Sequence, residues 1–303
     1  MREADRSLFK KLQAELETRL PLLPDKPEET SSNCMRALWL YAAGRPVSAT
    51  AASELPLEDL SQAQQNALVS AVEQRISGVP LAHITGRQTF MGIELLASSS
   101  ALIPRQETEI LASLALKSID QVASDVPRPC VIDVCTGSGN LALAVLTRRP
   151  NIDIWGADLS REAVSLAKKN ALHLGLQSDI SFLSGDLLAP FDRGEFHGSV
   201  DIIICNPPYI LSSNVQKMAP EIAQYEPDLA FNGGPFGIKI LDRIIKESAQ
   251  YLKHGAWLCL ELGAGQGPFV EKRIIKSGFY ENIDLACDAA GAIRALRAQR
   301  VLE

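Results

Sequence analysis

The chain has 303 residues, 46% of them hydrophobic and 22% charged, with a formal net charge of -6 and an isoelectric point near 5.4. That length allows one large domain, or a large and a small one, around a substantial core. The acidic balance argues against the broad basic face of a nucleic-acid-binding domain, so nucleic acid is not an expected partner.

The charged start, Met1-Arg2-Glu3-Ala4-Asp5-Arg6, leads into no apolar signal region, and no uninterrupted apolar stretch approaches membrane-spanning length. Neither a signal peptide nor a transmembrane helix is expected. The cysteines (Cys34, Cys130, Cys135, Cys205, Cys259, Cys287) form no Cys-x-x-Cys pair, and most lie in apolar strand-like runs. They read as reduced thiols of a cytoplasmic protein. His83, His173, His197 and His254 are scattered without ligand spacing, so no metal site is expected.

From the start to about residue 80 the pattern is helical. Leu8, Leu12, Leu16 and Leu20 recur every fourth residue, Asn33 to Ala43 is a second apolar stretch, and Ser61-Gln62-Ala63-Gln64 matches a capping box before a helix ending at Gly78. Pro21 to Pro27 and Ser48 to Pro56 read as turn-rich connectors. Residues 81–125 read as a hairpin and linker helix. Two β-prone segments from Leu81 to Ala97 flank Met91-Gly92, and Ala101 to Leu111 opens a helix with Pro104 near its first position. Asp120 to Pro129 is a polar linker.

Residues 126–303 change character. Apolar strand-like runs such as Cys130–Val134, Ile152–Ala157, Ile180–Leu183, Val200–Cys205 and Trp257–Glu261 alternate with helical patterns, which predicts an α/β, doubly wound, mostly parallel sheet. Arg294, Arg297 and Arg300 near the end read as the solvated face of an edge strand.

Val131 to Ala142 is a buried strand running through Cys135-Thr136-Gly137-Ser138-Gly139 into a helix. The two glycines let the backbone approach a ligand closely. Alone this is a weak signal, since a dinucleotide fold could use Gly137, Gly139 and Ala142 similarly with Asp158 on a ribose. Three acids favour S-adenosylmethionine as cofactor. Asp133 inside the first strand suits an ammonium. Asp158 ends the second strand and can accept from ribose hydroxyls; Asp186, after the third, can accept from an adenine amino group. Taken singly, each acid could equally be a helix cap or turn residue.

The run Val200-Asp201-Ile202-Ile203-Ile204-Cys205 ends in Asn206-Pro207-Pro208-Tyr209. Proline cannot continue the ladder, so the tetrapeptide sits at a strand's carboxyl end, where open α/β sheets bind ligands. Asn206 and the Pro207 carbonyl can each accept one N–H of a planar NH2 group, and Tyr209 can stack on its plane. A stiff turn after a core strand would look the same locally.

With these segments, the chain resembles the Class I S-adenosylmethionine-dependent methyltransferases and, more narrowly, the HemK/PrmC family of protein-(glutamine-N5) methyltransferases. The resemblance rests on Gly78 to Gly86, Leu102 to Glu109, the Gly137/Gly139 loop, Asn206 to Tyr209, and Tyr225-Glu226-Pro227 with Gly233-Gly234. It implies a seven-stranded sheet, a small helical N-terminal domain for substrate recognition joined by a β-hairpin, and as partner a peptide chain release factor whose Gly-Gly-Gln glutamine is methylated. It assigns Cys135, Thr136, Gly137, Ser138, Gly139, Asp158, Asp186, Leu187 and Asn206 to the cofactor, and Asn206, Pro207, Pro208 and Tyr209 to the glutamine amide. A monomer is expected. Arg105, Glu107 and Glu109 lie in a family signature without an evident chemical role, and an ion-pair cluster is the competing reading. The chain departs from the family pattern at Gln106, where proline is usual, near Gly291, where an acid-Arg pair is usual, and over the first hundred residues.

Alternatives left open by the residues are an adenine-N6 or cytosine-N4 nucleic-acid methyltransferase, because the same loop suits a flipped base, a ribosomal-protein glutamine methyltransferase, and a small-molecule methyltransferase. A dinucleotide-dependent oxidoreductase and a degenerate binding fold are the rivals from other classes.

Overall fold

The computed structural model describes residues 2–20, 25–210, 220–231 and 238–301. The chain forms two compact units, one of Met1–Ser99 with Ile103–Arg105 and Ala219–Glu226, the other of Ser100–Leu102, Gln106–Met218 and Pro227–Glu303. Among the described residues no helix is long and apolar enough to cross a membrane.

The first unit contains α1 (Glu3–Arg19), α2 (Ser31–Ala42), α3 (Ala49–Ala52), α4 (Gln62–Ile76), α5 (Leu81–Thr85) and the hairpin β1 (Arg87–Phe90) with β2 (Ile93–Leu96). Leu12 and Leu16 of α1 share a core with Leu38 and Trp39 of α2 and Leu68 of α4. The expected capping box is present, with the Ser61 amide donating to the Gln64 side chain at 2.9 Å and the Gln64 amide donating back to Ser61 Oγ at 3.4 Å. Charged side chains are also buried in this unit. Arg75 bridges Glu29 at 3.0 Å and Glu221 at 2.8 Å, and Glu221 also takes Lys26 at 2.6 Å. Arg105 pairs with Glu226 and with Asp25 at 3.3 Å, which gives Arg105 a structural partner set.

The second unit is built on β3 (Cys130–Val134), β4 (Asp153–Asp158), β5 (Ile180–Ser184), β6 (Val200–Cys205), β7 (Leu252–Glu261), β8 (Tyr280–Cys287) and β9 (Ile293–Arg300), with helices α6 (Thr108–Val122), α7 (Asn140–Arg148), α8 (Arg161–His173), α9 (Lys239–Tyr251) and α10 (Gly267–Ser277). The strand order is β5-β4-β3-β6-β7-β9-β8. Only β9 runs antiparallel to its neighbours, so the sheet is doubly wound and mostly parallel. Its order reverses between β3 and β6. In open sheets of this kind the carboxyl ends of the two strands at such a reversal are the usual ligand position. All six residues of β6 are buried, as expected of a strand covered on both faces; Asp201 within it is satisfied by the Cys130 amide at 2.8 Å and Lys253 at 2.7 Å.

Four local readings are corrected. Residues 81–85 are helix α5 and not a strand, because Leu81, Ala82 and Ile84 bury one face of a turn that Gly86, at φ 69°, terminates; a five-residue apolar run does not by itself distinguish helix from strand. The stretch Ser48 to Pro56 contains the one-turn helix α3, capped by the Ser48 hydroxyl. Helix α6 begins at Thr108, after Pro104 and not around it; the turn leading into it makes i→i+3 bonds, from the Glu109 amide to Gln106 and from the Ile110 amide to Glu107, tighter than the α-helical pattern. Finally, β9 lies between β7 and β8 and is no edge strand. Arg297 is accordingly buried, with its guanidinium 4.1 Å from the centre of the Trp257 ring. Gly233-Gly234 lies outside the described residues.

Candidate functional site

The parallel register brings the singled-out segments together. Val134 of β3 is level with Ala157 of β4 and with Cys205 of β6. The next residues along are Cys135 after β3, Asp158 at the end of β4 and Asn206 after β6. The glycine turn after β3, the acid that ends β4 and the tetrapeptide after β6 thus lie at the carboxyl ends of strands at or next to the reversal point of the sheet.

The turn is shaped by its own hydrogen bonds. Cys135 and Gly137 have positive φ, 60° and 55°, and the Gly137 amide donates to Asp158 Oδ2 at 2.8 Å. Asp158 Oδ1 accepts from the Ser160 amide at 2.9 Å. Burial pushes the Asp158 carboxyl above its ordinary value, and the amides of Ser160, Gly137 and Leu159 pull it back. Gly139 caps α7 at φ 80°, where an added Cβ would stand 3.0 Å from the Phe182 ring and 3.1 Å from Ala167. Only glycine fits there without displacing neighbours. The Ser138 carbonyl is held by Asn170 at 2.9 Å, and the buried Ser138 hydroxyl has no hydrogen-bond partner among the described residues.

Asp133 is fully enclosed behind this turn. Its Oδ2 accepts from the Thr136 hydroxyl at 2.6 Å, while Oδ1 has no hydrogen-bond partner among the described residues. Burial pushes the carboxyl up to about 7, against the pull of the Thr136 hydroxyl and the Ala142 amide. A buried acid with one oxygen left unbonded favours a cation nearby. Asp186 stands apart in character, since it is half exposed and both its oxygens accept from Arg243, at 3.1 and 3.0 Å. Leu187 beside it is buried at φ 48°.

The tetrapeptide is held at both ends. Asn206 Nδ2 donates to Thr108 Oγ1 at 3.4 Å. The Tyr209 hydroxyl donates to Glu261 Oε1 at 3.0 Å, and the Tyr209 carbonyl accepts from Gln266 at 3.2 Å. Gly263 leaves room for the tyrosine ring, because a Cβ there would come within 2.9 Å of it. Burial raises the Tyr209 hydroxyl, with the Glu261 charge adding to it. Burial likewise pushes Glu261 up to about 7, opposed first by the Thr108 hydroxyl and then by that of Tyr209. Glu107 lies 3.7 Å from Arg294, which is paired to Asp288 at 2.8 Å.

Thr108, Glu261 and Gln266 are absent from the sequence-based site. The available signal was an acid closing the apolar run Trp257–Glu261 at a strand's carboxyl end, the same signal that singled out Asp158.

Residues 110–229 match the family model described as methyltransferase small domain. The catalytic domain of hMettl16, crystallised in complex with the MAT2A 3'UTR hairpin 6, shares the fold, with a TM-score of 0.54 at 16% identity over 75% of this chain and 81% of that one. Sheet order, glycine turn and family model together define a methyltransferase of the doubly wound α/β class. The release factor glutamine methyltransferase of Thermodesulfovibrio yellowstonii is 34% identical over 242 residues, covering 80% of this chain and 84% of that protein. That of Moorella thermoacetica is 33% identical, covering 80% and 83%, and that of Deinococcus radiodurans is 35% identical, covering 76% and 78%. The chain belongs to the release factor glutamine methyltransferase family.

Proposed function

We propose that this chain transfers a methyl group from S-adenosylmethionine to the side-chain amide nitrogen of a protein glutamine, the Gly-Gly-Gln glutamine of a peptide chain release factor. A cytoplasmic setting is part of this reading, since the acceptor is a translation factor. The observation that carries it is the tetrapeptide Asn206 to Tyr209 at the end of β6, beside the sheet's reversal point, with the Asn206 amide nitrogen already engaged by Thr108. That engagement leaves the Asn206 oxygen for an acceptor N–H.

The residues present fit the cofactor. The enclosed Asp133, with one oxygen unbonded, supplies negative charge behind the turn for an ammonium and sulfonium. The Asp158 carboxylate accepts from backbone amides on both oxygens, and its remaining acceptor capacity suits a ribose hydroxyl. Cys135 to Gly139 bring backbone close to the ligand, and Asp186 with Leu187 flank the adenine. S-adenosylmethionine, when bound, supplies an electrophilic methyl group.

The acceptor nitrogen is weakly nucleophilic because its lone pair is delocalised into the carbonyl. Asn206 Oδ1 and the Pro207 carbonyl each accept one of its N–H groups, which orients the lone pair and favours a pyramidal nitrogen. Pro208 stiffens the loop, and Tyr209 packs on the amide plane. As the nitrogen gains the methyl, its surplus proton leaves to water, so positioning and electrostatics carry the reaction without a strong base.

The test is transfer of labelled methyl from S-adenosylmethionine to purified release factors, beside acceptors carrying Gln→Ala in the Gly-Gly-Gln motif. Label on the first and none on the second is expected. Equal label on both moves the methylation site elsewhere, and label on nucleic acid alone overturns the reading.

A further inference from the structure

Tyr209 closes the tetrapeptide, and residues at the end of β7 and in the turn after it hold it in place. Its hydroxyl donates to Glu261 Oε1 at 3.0 Å. Its carbonyl accepts from Gln266 Nε2 at 3.2 Å, and the other pole of the same peptide unit, the Ile210 amide, donates to the Phe231 carbonyl at 2.9 Å. A planar peptide held at both poles has its rotation fixed. Gln266 is held in turn. Its Oε1 accepts from the Gly263 amide at 2.9 Å, and its own backbone amide donates to the Gly263 carbonyl at 3.0 Å. The Gly263 amide can only donate and the Tyr209 carbonyl can only accept, so a single orientation of the Gln266 side chain serves both. Gly263 is also where the ring edge rests, since an added Cβ there would stand 2.9 Å from Tyr209 Cδ2 and 3.1 Å from Gln266 Oε1.

We infer that Gln266 is a positioning residue for methyl transfer: by bridging the Gly263 amide and the Tyr209 carbonyl it seats the Tyr209 ring against Gly263 and so fixes the surface on which the acceptor amide lies. The inference rests on the acceptor role given to Asn206 to Tyr209 above. With its hydroxyl on Glu261, its carbonyl on Gln266 and its edge on Gly263, the tyrosine has no hydroxyl proton left to give the acceptor and acts as a wall of set position. A shift of that wall by about 1 Å tilts the bound amide and takes its nitrogen out of line with the methyl group, a misplacement that costs rate on the order of a hundredfold. Glutamine is the side chain this bridge requires. A glutamate still accepts from Gly263 but sets a carboxylate oxygen against the Tyr209 carbonyl, and an asparagine is one methylene short.

The test uses the full chain with Gln266→Glu, Gln266→Met and Gly263→Ala. Gln266→Glu keeps the bond from the Gly263 amide and removes only the donation to Tyr209, so its urea midpoint is expected to match the wild type, while Gln266→Met loses both bonds and is expected to unfold at lower urea. Both are expected to lose kcat on a release factor on the order of a hundredfold, with KM for the acceptor and affinity for S-adenosylmethionine within about twofold. Gly263→Ala, which pushes the ring from its other side, is expected to lose kcat in the same way. Independently of any acceptor, tyrosine labelled with carbon-13 in the ring gives signals from five residues. The Tyr209 signal, assigned by its loss in Tyr209→Phe, is expected to shift in Gln266→Glu and in Gly263→Ala. A rate that merely follows stability, near wild type in Gln266→Glu and low in Gln266→Met, overturns the inference, as does a Tyr209 signal unmoved in Gln266→Glu. A wild type that methylates no release factor removes the proposed acceptor, and a Tyr209 signal that still moves in Gln266→Glu then supports the seat by itself.

Discussion

Asp158 accepts the amide proton of Gly137 at 2.8 Å, so the acid that ends β4 shapes the glycine turn after β3. With its second oxygen on the Ser160 amide, one carboxylate fixes two backbone segments. Asp158→Ala is expected to weaken S-adenosylmethionine binding by about 3 kcal/mol, roughly a hundredfold, the scale of losing charge-assisted hydrogen bonds. Titration calorimetry measures this, and wild-type affinity in the variant would remove Asp158 from the cofactor site.

Asn206→Ala separates binding from chemistry. The residue touches Thr108 alone among the described side chains in hydrogen-bonding terms, so its loss leaves the glycine turn undisturbed. The rate of methyl transfer is expected to fall about a thousandfold, as when a transition-state hydrogen bond and the orientation it sets are both lost. Cofactor affinity is expected to change little. Near-normal turnover in a single-turnover assay would refute the role.

Burial holds the Asp133 carboxyl at about 7, above its value in the unfolded chain. The folded form then binds that proton more tightly, so the group's contribution to stability is complete below about pH 4 and is lost as pH rises to about 7. Asp133→Asn does not titrate. Whatever fixed offset the amide introduces, the stability difference between wild type and variant is expected to tilt toward the variant by about 1.4 kcal/mol per pH unit across that window. Urea unfolding at several pH values measures it, and a difference independent of pH contradicts it.

Glu221, in the first unit, has the opposite sign. Burial opposes the Glu221 charge, but Lys26 and Arg75 outweigh it and hold the carboxyl below its ordinary value. Its stabilisation is present above the unfolded value and is lost as pH falls through the depressed one. Arg75→Met leaves Glu29 and Glu221 without their shared cation and is expected to cost about 3–5 kcal/mol. A loss below about 1 kcal/mol in denaturant unfolding would show that Lys26 alone neutralises the pair.

Local chemistry made much of the second unit legible in the sequence. A largely apolar, β-branched run stopped by two prolines reads as a buried strand that ends at the sheet's carboxyl edge, and Val200–Cys205 is that strand. The positive φ of Gly137 and Gly139 and the Ser61 capping box follow from residue types a few positions apart. Runs of ambiguous period were not legible, as the helix at Leu81–Thr85 shows. Neither was the burial of Arg297, because an arginine in a strand reads as solvated until the strand's neighbours are known; here β7 supplies Trp257 for it to stack on, and Asp284 of β8 accepts from it at 2.6 Å.

The sequence by itself determined the class of chemistry, since a glycine turn, acids at strand ends and Asn206 to Tyr209 are each complete within a few residues. Only the tertiary structure decided what aims that chemistry. Thr108 and Glu261 stand 98 and 52 residues from their partners in the tetrapeptide, and no local pattern encodes such a meeting. It depends on which strands become neighbours, and β7 comes to lie beside β6 because their apolar faces are buried in one core. A carboxylate that would be ordinary in water is thereby enclosed against the Tyr209 hydroxyl.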